Sequence, residues 1–483
     1  MIASDDTIAA IATAPGAAGL AVIRVSGPEA LAHADAVFGG PVRLSAAASH
    51  TLHHGWAVWP SSDRPARSAF PDASSSSAHD LHEPADRLDE VVAAVFRAPR
   101  SYTREDVVEI SCHGGALPAR RILAALLAAG ARLARPGEFT LRAFLNGRLD
   151  LVQAEAVADL IQAETERARA LALSQLSGEL SKRLAALEER ITDALSEVEA
   201  RVDFAEDVGG IEVPEHVVQA IASVDADLAA MLAGAALARA VREGVRVPLV
   251  GRPNAGKSSL FNALLGEARA IVTPLPGTTR DRVSEAIEIA GVRVTLSDTA
   301  GMRDARDPIE ALGVERTRAA LADASVVVWV VDGATALEDA DRQMAGELNG
   351  ARVVGALNKC DLPGAVDRAE VAGMLNGSAG RVVPLSAMRG DGLAALREAL
   401  AEALGADRSE GGALAVSNAR HVEALERARE ALGRASVAAG AGDPGEIVAL
   451  ELRDALFAIG EVTGREVGED VLDRIFGRFC IGK

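Results

Sequence analysis

The chain has 483 residues, with 50 basic against 69 acidic side chains and a net charge of −19. That surplus opposes indiscriminate binding to phosphate backbones or anionic lipid, so any nucleic-acid partner must meet a local basic patch. One Tyr and three Trp exclude a row of aromatic stacking platforms, and the distant Cys112, Cys360 and Cys480 form neither a disulfide framework nor a CxxC metal pair, which points to a reducing cytosol.

This length predicts roughly three domains. The N-terminus has no basic region leading into an apolar core, and no apolar run reaches the length of a membrane span, so a soluble cytoplasmic protein without membrane contact is expected. From Thr7 to about Asn146, β-rich stretches such as Leu20 to Val25 and Glu90 to Phe96 alternate with a helical stretch from Leu117 to Ala129, which predicts an α+β domain over residues 1–146. Within it, the Ser/Pro/Asp-rich stretch 60–87 lacks large apolar residues and is expected to be a disordered insertion.

From Leu151 the composition turns to Ala, Leu, Glu and Arg. Leu180, Leu184, Leu187, Ile191, Leu195, Val198 and Val202 recur three and four apart, which predicts a long amphipathic helix. A second helical stretch from Asn418 carries Val448, Leu452, Ala455 and Ile459 at the same spacing. Neither half buries its stripe as well alone. The expected architecture is therefore one helical bundle made of residues 147–243 and 406–483, with an α/β domain of doubly wound, mostly parallel sheet inserted at 244–405; the alternative is two separate helical domains.

The inserted segment carries the chemistry. Val245 to Val250 is a short apolar strand running into Gly251-Arg-Pro-Asn254-Ala255-Gly256-Lys257-Ser258, and helix is expected from Ser259 to Leu265. This is GxxxxGK[ST] in its strand, loop, helix context. Backbone N–H groups and a helix N-terminus face phosphates there, Lys257 neutralises the terminal ones and the Ser258 hydroxyl ligates Mg²⁺. Asp298-Thr299-Ala300-Gly301 follows the strand Val292 to Leu296, placing a carboxylate by the Mg²⁺ shell and a glycine N–H by the γ-phosphate. Asn358-Lys359-Cys360-Asp361 ends the strand Arg352 to Leu357, where open α/β sheets bind ligands. Guanine offers N1–H and N2–H₂ donors that one carboxylate accepts together, so Asp361 selects GTP over ATP. Ser386-Ala387, with Met388 next, follows the strand Arg381 to Leu385 and sets backbone N–H groups at the base O6.

At these residues the chain resembles the translation-factor-related GTPases, and among them the MnmE (TrmE) family of tRNA-modification GTPases. The likeness spans essentially the whole chain: GRPNAGKSS, PGTTRD (Pro276 to Asp281), SYTREDVVE (Ser101 to Glu109), ARPGEFTLRAFLNGRLDLVQAEA (Ala134 to Ala156) and the terminal Phe479-Cys480-Ile481-Gly482-Lys483. Pro15 to Gly19 departs from the family, reading PGAAG where a glycine-rich turn is usual.

The resemblance implies a GTPase that works with an FAD-dependent MnmG-type partner, as a heterotetramer, to add an aminomethyl or carboxymethylaminomethyl group at C5 of the wobble uridine of certain tRNAs. The N-terminal domain would form a homodimer and bind 5-formyl- or 5,10-methylene-tetrahydrofolate through Arg24, Glu105, Arg148 and Lys483. Cys480 would bring a thiol to that chemistry. In the nucleotide site the resemblance adds Thr273, Pro274, Leu275, Pro276, Gly277, Thr278 and Thr279, with Thr279 joining Ser258 and Asp298 on Mg²⁺. It also implies a K⁺ ion on Asn254, Thr273, Leu275 and Thr278. Met302 stands where Ras-like enzymes carry a water-orienting glutamine, and a thioether cannot hold that water. Glu310 matches the family's water-orienting glutamate.

Other classes fit less well. A ribosome-assembly switch would carry a GxxG loop in a basic C-terminal setting or a second GxxxxGK[ST], and a membrane-fission GTPase would want a basic amphipathic stretch. The chain shows neither of the first two, and its long helix is charge-mixed.

Overall fold

The structure is a computed structural model, which describes residues 6–60, 87–203, 212–267, 284–298, 326–375, 381–406 and 416–483. The expected insertion at 60–87 lies almost wholly outside them. By contact the chain divides into two compact units, 1–158 with 463–483, and 159–462.

The first unit is built on the strands β1 (Ile8–Ile11), β2 (Leu20–Ser26), β3 (Phe38–Gly39), β4 (Thr51–Val58), β5 (Arg87–Phe96), β6 (Val107–His113) and β7 (Arg132–Leu133). They form one sheet in the order β3-β4-β5-β6-β2-β1-β7, antiparallel throughout except for the β1–β7 pair. Alternation shows on β5, where Val91, Ala93 and Val95 point into the core while Val92 stays exposed, whereas on β1 Ala9 enters that core and Ile8 and Ala10 pack with Phe139 on the other face. The helices α1 (Ala30–Val37) and α2 (Ala116–Ala128) cover the apolar face. On α2, Ala119, Ile122, Ala125 and Leu126 are buried at helical spacing, which fixes the face it presents to the sheet. The unit continues through α3 (Glu138–Leu145) and into α4 (Leu151–Gln162).

The second unit opens with α5 (Glu166–Leu176), α6 (Glu179–Asp203), α7 (Glu215–Leu232) and α8 (Ala235–Glu243). The predicted stripe holds on α6, where Leu180, Leu184, Leu187, Ile191, Leu195 and Val198 are buried. Then come β8 (Val245–Val250), α9 (Lys257–Glu267), β9 (Ser284–Ile289), β10 (Val292–Asp298), β11 (Val327–Asp332), α10 (Asp339–Glu347), β12 (Val353–Asn358), α11 (Arg368–Met374), β13 (Val382–Pro384) and α12 (Leu393–Ala403). The strands order as β13-β12-β11-β8-β10-β9, parallel except for the β9–β10 hairpin. Both faces of this sheet are covered, so β11 reads as the unbroken apolar run Val-Val-Trp-Val-Val instead of alternating. Val328 and Val330 enter one core, and Val327, Trp329 and Val331 the other.

After the sheet, α13 (Ala419–Ala441) packs against α7, which also packs against α6, so helices from before and after the sheet touch. The next helix, α14 (Gly445–Thr463), ends at the unit boundary. The sequence reading assigns 406–483 throughout to the helical segment. By contact, residues from Thr463 onward, with α15 (Glu469–Phe476), group with the first unit. The cause is local: Phe476 and Phe479 pack with Leu141, Leu151 and Phe144 on α3 and α4. The stretch 215–243 is apolar enough to cross a membrane by length and composition. It is two helices broken at Ala233 and Gly234, and α7 buries Val217, Ile221, Val224, Leu228 and Met231 in the bundle.

Trp329 is fully buried, yet its indole Nε1 has no hydrogen-bond partner among the described residues. Trp329→Phe removes that orphan donor with a modest loss of volume, and we expect it to cost about 1 kcal/mol or less. Trp329→Ala leaves a cavity and should cost about 3–5 kcal/mol. Denaturant midpoints of the two variants check this, and equal losses would show that the indole N–H contributes a bond of its own.

Candidate functional site

The nucleotide cradle begins where β8 ends. Gly251 has φ of 148° and Gly256 of 96°, conformations that side chains rarely adopt. Space forbids a side chain as well: a Cβ on Gly251 would fall 2.2 Å from the Val330 carbonyl oxygen, and one on Gly256 would fall 2.1 Å from Asn358 Nδ2. Asn254 between them is left-handed at φ 64°. The loop is thus pressed against β11 and β12, and α9 starts at Lys257 with its N-terminal N–H groups facing the loop, the arrangement that binds phosphate. Lys257 is buried, and its Nζ donates to the carbonyls of Gly251 at 2.8 Å and Arg252 at 2.7 Å. Ala255 is buried, and Ser258 and Ser259 form the first turn of α9.

Asn358 joins this cradle to the base-reading corner. It is 2% exposed; its Nδ2 donates to the Ala255 carbonyl at 2.9 Å and its Oδ1 accepts the Ala387 N–H at 3.0 Å. Lys359, left-handed at φ 66°, is held by Asp332 at 2.6 Å, and Asp332 in turn accepts the Ala334 N–H. The Cys360 N–H donates to the Leu385 carbonyl at 3.1 Å, tying the two base loops together a second time. A hydrogen bond from the Ser386 side chain holds the Asp361 carboxyl below the usual carboxylate range, so it is an ionised acceptor at neutral pH. Met388 is 82% exposed. The structure therefore brings together Asn254 to Ser259, Asn358 to Asp361 and Ser386 to Met388. Thr273, Pro274, Leu275, Pro276, Gly277, Thr278, Thr279, Thr299, Ala300, Gly301 and Glu310 lie outside the described residues, as does the side chain of Asp298.

In the first unit, two of the four residues expected at a folate, Arg24 and Arg148, meet at one aromatic ring. Arg24 pairs with Glu109 at 2.7 Å, donates to the Gly482 carbonyl at 3.4 Å, and lies 5.0 Å from the centre of the Tyr102 ring. Arg148 lies 4.8 Å from the same ring and donates to the Tyr102 carbonyl at 2.7 Å. Glu105 accepts from Ser26 Oγ at 2.6 Å and from Arg142 at 3.1 Å. The tail reaches this corner through Gly482, while Cys480 is an exposed free thiol whose carbonyl accepts the Gly137 and Lys483 N–H groups. Sequence reasoning missed Tyr102, Glu109 and Arg142. The chain's single tyrosine was a usable signal for the first; the others are defined by pairing across the fold.

Arg142 is 3% exposed and faces three carboxylates, Asp6, Glu105 and Glu138, and Arg132 adds pairs to Asp6 at 2.6 Å and Glu138 at 2.5 Å. Burial pushes the Asp6 and Glu138 carboxyls up, but the arginines outweigh it and leave both below their ordinary values. Their contribution to stability is present above the unfolded carboxyl value of about 4 and is lost as pH falls through the lower folded values. We expect hydrogen exchange in β1 and β7 to accelerate only as pH drops below about 4. Arg142→Ala should destabilise the unit by about 3–5 kcal/mol at neutral pH and blunt that acid response; an unchanged acid response would place its origin elsewhere. At the base corner, Asp361→Asn exchanges an acceptor for a donor, so xanthine nucleotides should bind better than guanine ones. Competition between GTP and XTP measures this, and a retained GTP preference would refute the assignment.

Comparison with known proteins bears on the whole chain. The family described as "MnmE helical domain" matches residues 151–480, and "GTP-binding protein TrmE N-terminus" matches residues 7–148. The chain is 46% identical to the tRNA modification GTPase MnmE of Symbiobacterium thermophilum, over 99% of this chain and all of that protein. It is 43% identical to the protein of that name in Moorella thermoacetica and 45% to that of Chloroflexus aurantiacus, again over 99% of this chain and 100% of each relative. A glycine-bounded loop tied by Asn358 to the turn after β13, in a chain matched end to end by these GTPases, makes it a GTP hydrolase, and the chain belongs to the MnmE family of tRNA modification GTPases.

Proposed function

We propose that the chain uses GTP hydrolysis to drive or time modification of tRNA at C5 of the wobble uridine, adding an aminomethyl or carboxymethylaminomethyl group together with an FAD-dependent MnmG-type partner. The observation that carries this reading is the end-to-end similarity to tRNA modification GTPases in a chain that also holds a guanine-nucleotide cradle.

Each part of the chain would have its task. The cradle of Asn254 to Ser259 binds the phosphates, with Lys257 neutralising the terminal ones as the bond to the γ-phosphorus breaks. The Ser258 hydroxyl at the start of α9 suits Mg²⁺, which Thr279 and Asp298 would complete; the ion would neutralise developing phosphate charge. Asn254, with Thr273, Leu275 and Thr278, would offer oxygen ligands of the kind a K⁺ ion takes. Glu310 would orient the attacking water, the task Met302 cannot perform. Closure of two nucleotide domains across a homodimer would exclude water, where such charge counts most.

In the first unit, the guanidinium groups of Arg24 and Arg148, each within 5.0 Å of the Tyr102 ring centre, suit the anionic tail of a ligand with an aromatic ring. A tetrahydrofolate there, with Glu105 and Lys483 at its edge, would supply the one-carbon unit. Cys480 is exposed and close in sequence to that corner, as its proposed part in the chemistry requires.

Mass spectrometry of tRNA nucleosides from a deletion strain tests the reading. The C5 group on the wobble uridine should disappear and return on complementation, and an unchanged nucleoside profile would sink it. In stopped-flow assays K⁺ should accelerate GTP hydrolysis where Na⁺ does not. Glu310→Ala should slow it by about two orders of magnitude with little change in GTP affinity. Equal rates in the two salts would remove the cation from the mechanism.

A further inference from the structure

The second residue of the phosphate loop, Arg252, turns its side chain away from the cradle and into the N-terminal cap of α10. Glu338 and Asp341 form a reciprocal capping box there: the Glu338 side chain accepts the backbone N–H at Asp341, and Asp341 Oδ2 accepts the Glu338 N–H at 3.0 Å. Arg252 Nε stands 2.9 Å from that same Asp341 oxygen, Arg252 Nη1 pairs with Glu338, and Nη2 donates to Thr335 Oγ1 at 3.1 Å. Asp341 is 1% exposed, so its charge is buried against the arginine. A capping box needs only the carboxylate oxygens; a cation set upon it couples the cap to whatever carries that cation.

Here the carrier is the loop itself. The Arg252 carbonyl accepts from Lys257 Nζ, as the Gly251 carbonyl does, and Gly251 is wedged against Val330 of β11. The backbone at Arg252 therefore cannot turn without either pulling the guanidinium off a buried carboxylate or moving the carbonyl that positions Lys257. The neighbouring Asp332 at the end of β11 holds Lys359 of the base corner, so the loop anchored by Arg252 and the base-reading lysine are braced by the same short stretch, Asp332 to Asp341.

We infer that Arg252 is a positioning residue for the GTPase: it makes no contact with nucleotide, and it sets how long nucleotide stays bound by pinning the phosphate loop to the cap of α10. This rests on the phosphate-loop reading proposed above. The loss should fall on nucleotide release and KM, not on kcat, because the groups that meet the reacting phosphate remain. It should be similar for GDP and GTP, which share the loop, and should leave the preference for guanine over xanthine unchanged, because Asp361 is untouched.

The experiment is stopped-flow release of fluorescent GDP and GTP from the full-length protein, with steady-state hydrolysis alongside. Arg252→Ala should speed release of both nucleotides about tenfold and raise KM for GTP by a similar factor, with kcat within about threefold of wild type. Arg252→Lys should recover part of the loss, since it keeps the charge without the fork. Asp341→Asn keeps an oxygen for the Glu338 N–H and removes the charge; it should speed release in the same direction, and combining it with Arg252→Ala should add little. The pair keeps the test decisive if Arg252→Ala does not fold. Wild-type release rates in folded Arg252→Ala or Asp341→Asn, or a fall in kcat without faster release, would overturn the inference. Lys257→Ala separates the two claims: if it retains GTP binding, the phosphate-loop reading fails, whereas loss of binding there with normal release in Arg252→Ala defeats this proposal alone.

Discussion

The nucleotide site depends on one buried side chain. Asn358 donates to the carbonyl of Ala255 in the phosphate loop and accepts the N–H of Ala387 in the loop after β13. Two segments more than a hundred residues apart are thereby fixed on one amide. An amide side chain offers a donor and an acceptor side by side in one plane, and at 2% exposure either half left unmade would cost about 1–3 kcal/mol. The glycine at position 256 follows from the same contact, because a Cβ there would meet Asn358 Nδ2.

The sheet supplies what such a site needs. Three neighbouring parallel strands, β8, β11 and β12, end on one edge and deliver Gly251, Asp332 and Asn358 there. Because both faces of β11 are buried, its register has no freedom to slip, and Asp332 arrives opposite Asn358 in the β11–β12 ladder. Rigid strands thus place the polar groups, and loops make the contacts. The first unit solves a similar problem by different means: a cluster of Arg132, Arg142, Asp6 and Glu138 fixes the approach of α3 to β1 and β7 by charge. The aromatic and cationic shelf around Tyr102 lies on the same α3 side, through its hydroxyl contact with Thr140.

What was legible in the sequence is what short range dictates. Val245 to Val250 is a strand with those limits because an apolar run between Gly244 and Gly251 has nowhere else to stop. The stripe from Leu180 to Val198 is a helix because its spacing allows little else. Motifs whose residues are adjacent, such as Asn358 to Asp361, carried their chemistry openly. Pairing across the chain did not: Asp6 and Arg142 are 136 residues apart, and nothing at either position marks the other. Arg252 illustrates the limit best, since the GxxxxGK[ST] pattern leaves its position unspecified, and only the placement of α10 shows what it holds. Likewise the helix Glu469–Phe476 was legible, but the packing of Phe476 and Phe479 on α3 and α4 was not.

If Asn358 is the joint between phosphate and base recognition, one change there must weaken both at once. The direct measurement is GDP affinity of Asn358→Ala by titration calorimetry, with thermal unfolding as a control for the fold. Losing both bonds predicts a fall in affinity of about 30-fold or more in a protein that still unfolds cooperatively. An affinity within about twofold of wild type would contradict the account, because the cradle and the base corner would then stand without the bridge that joins them.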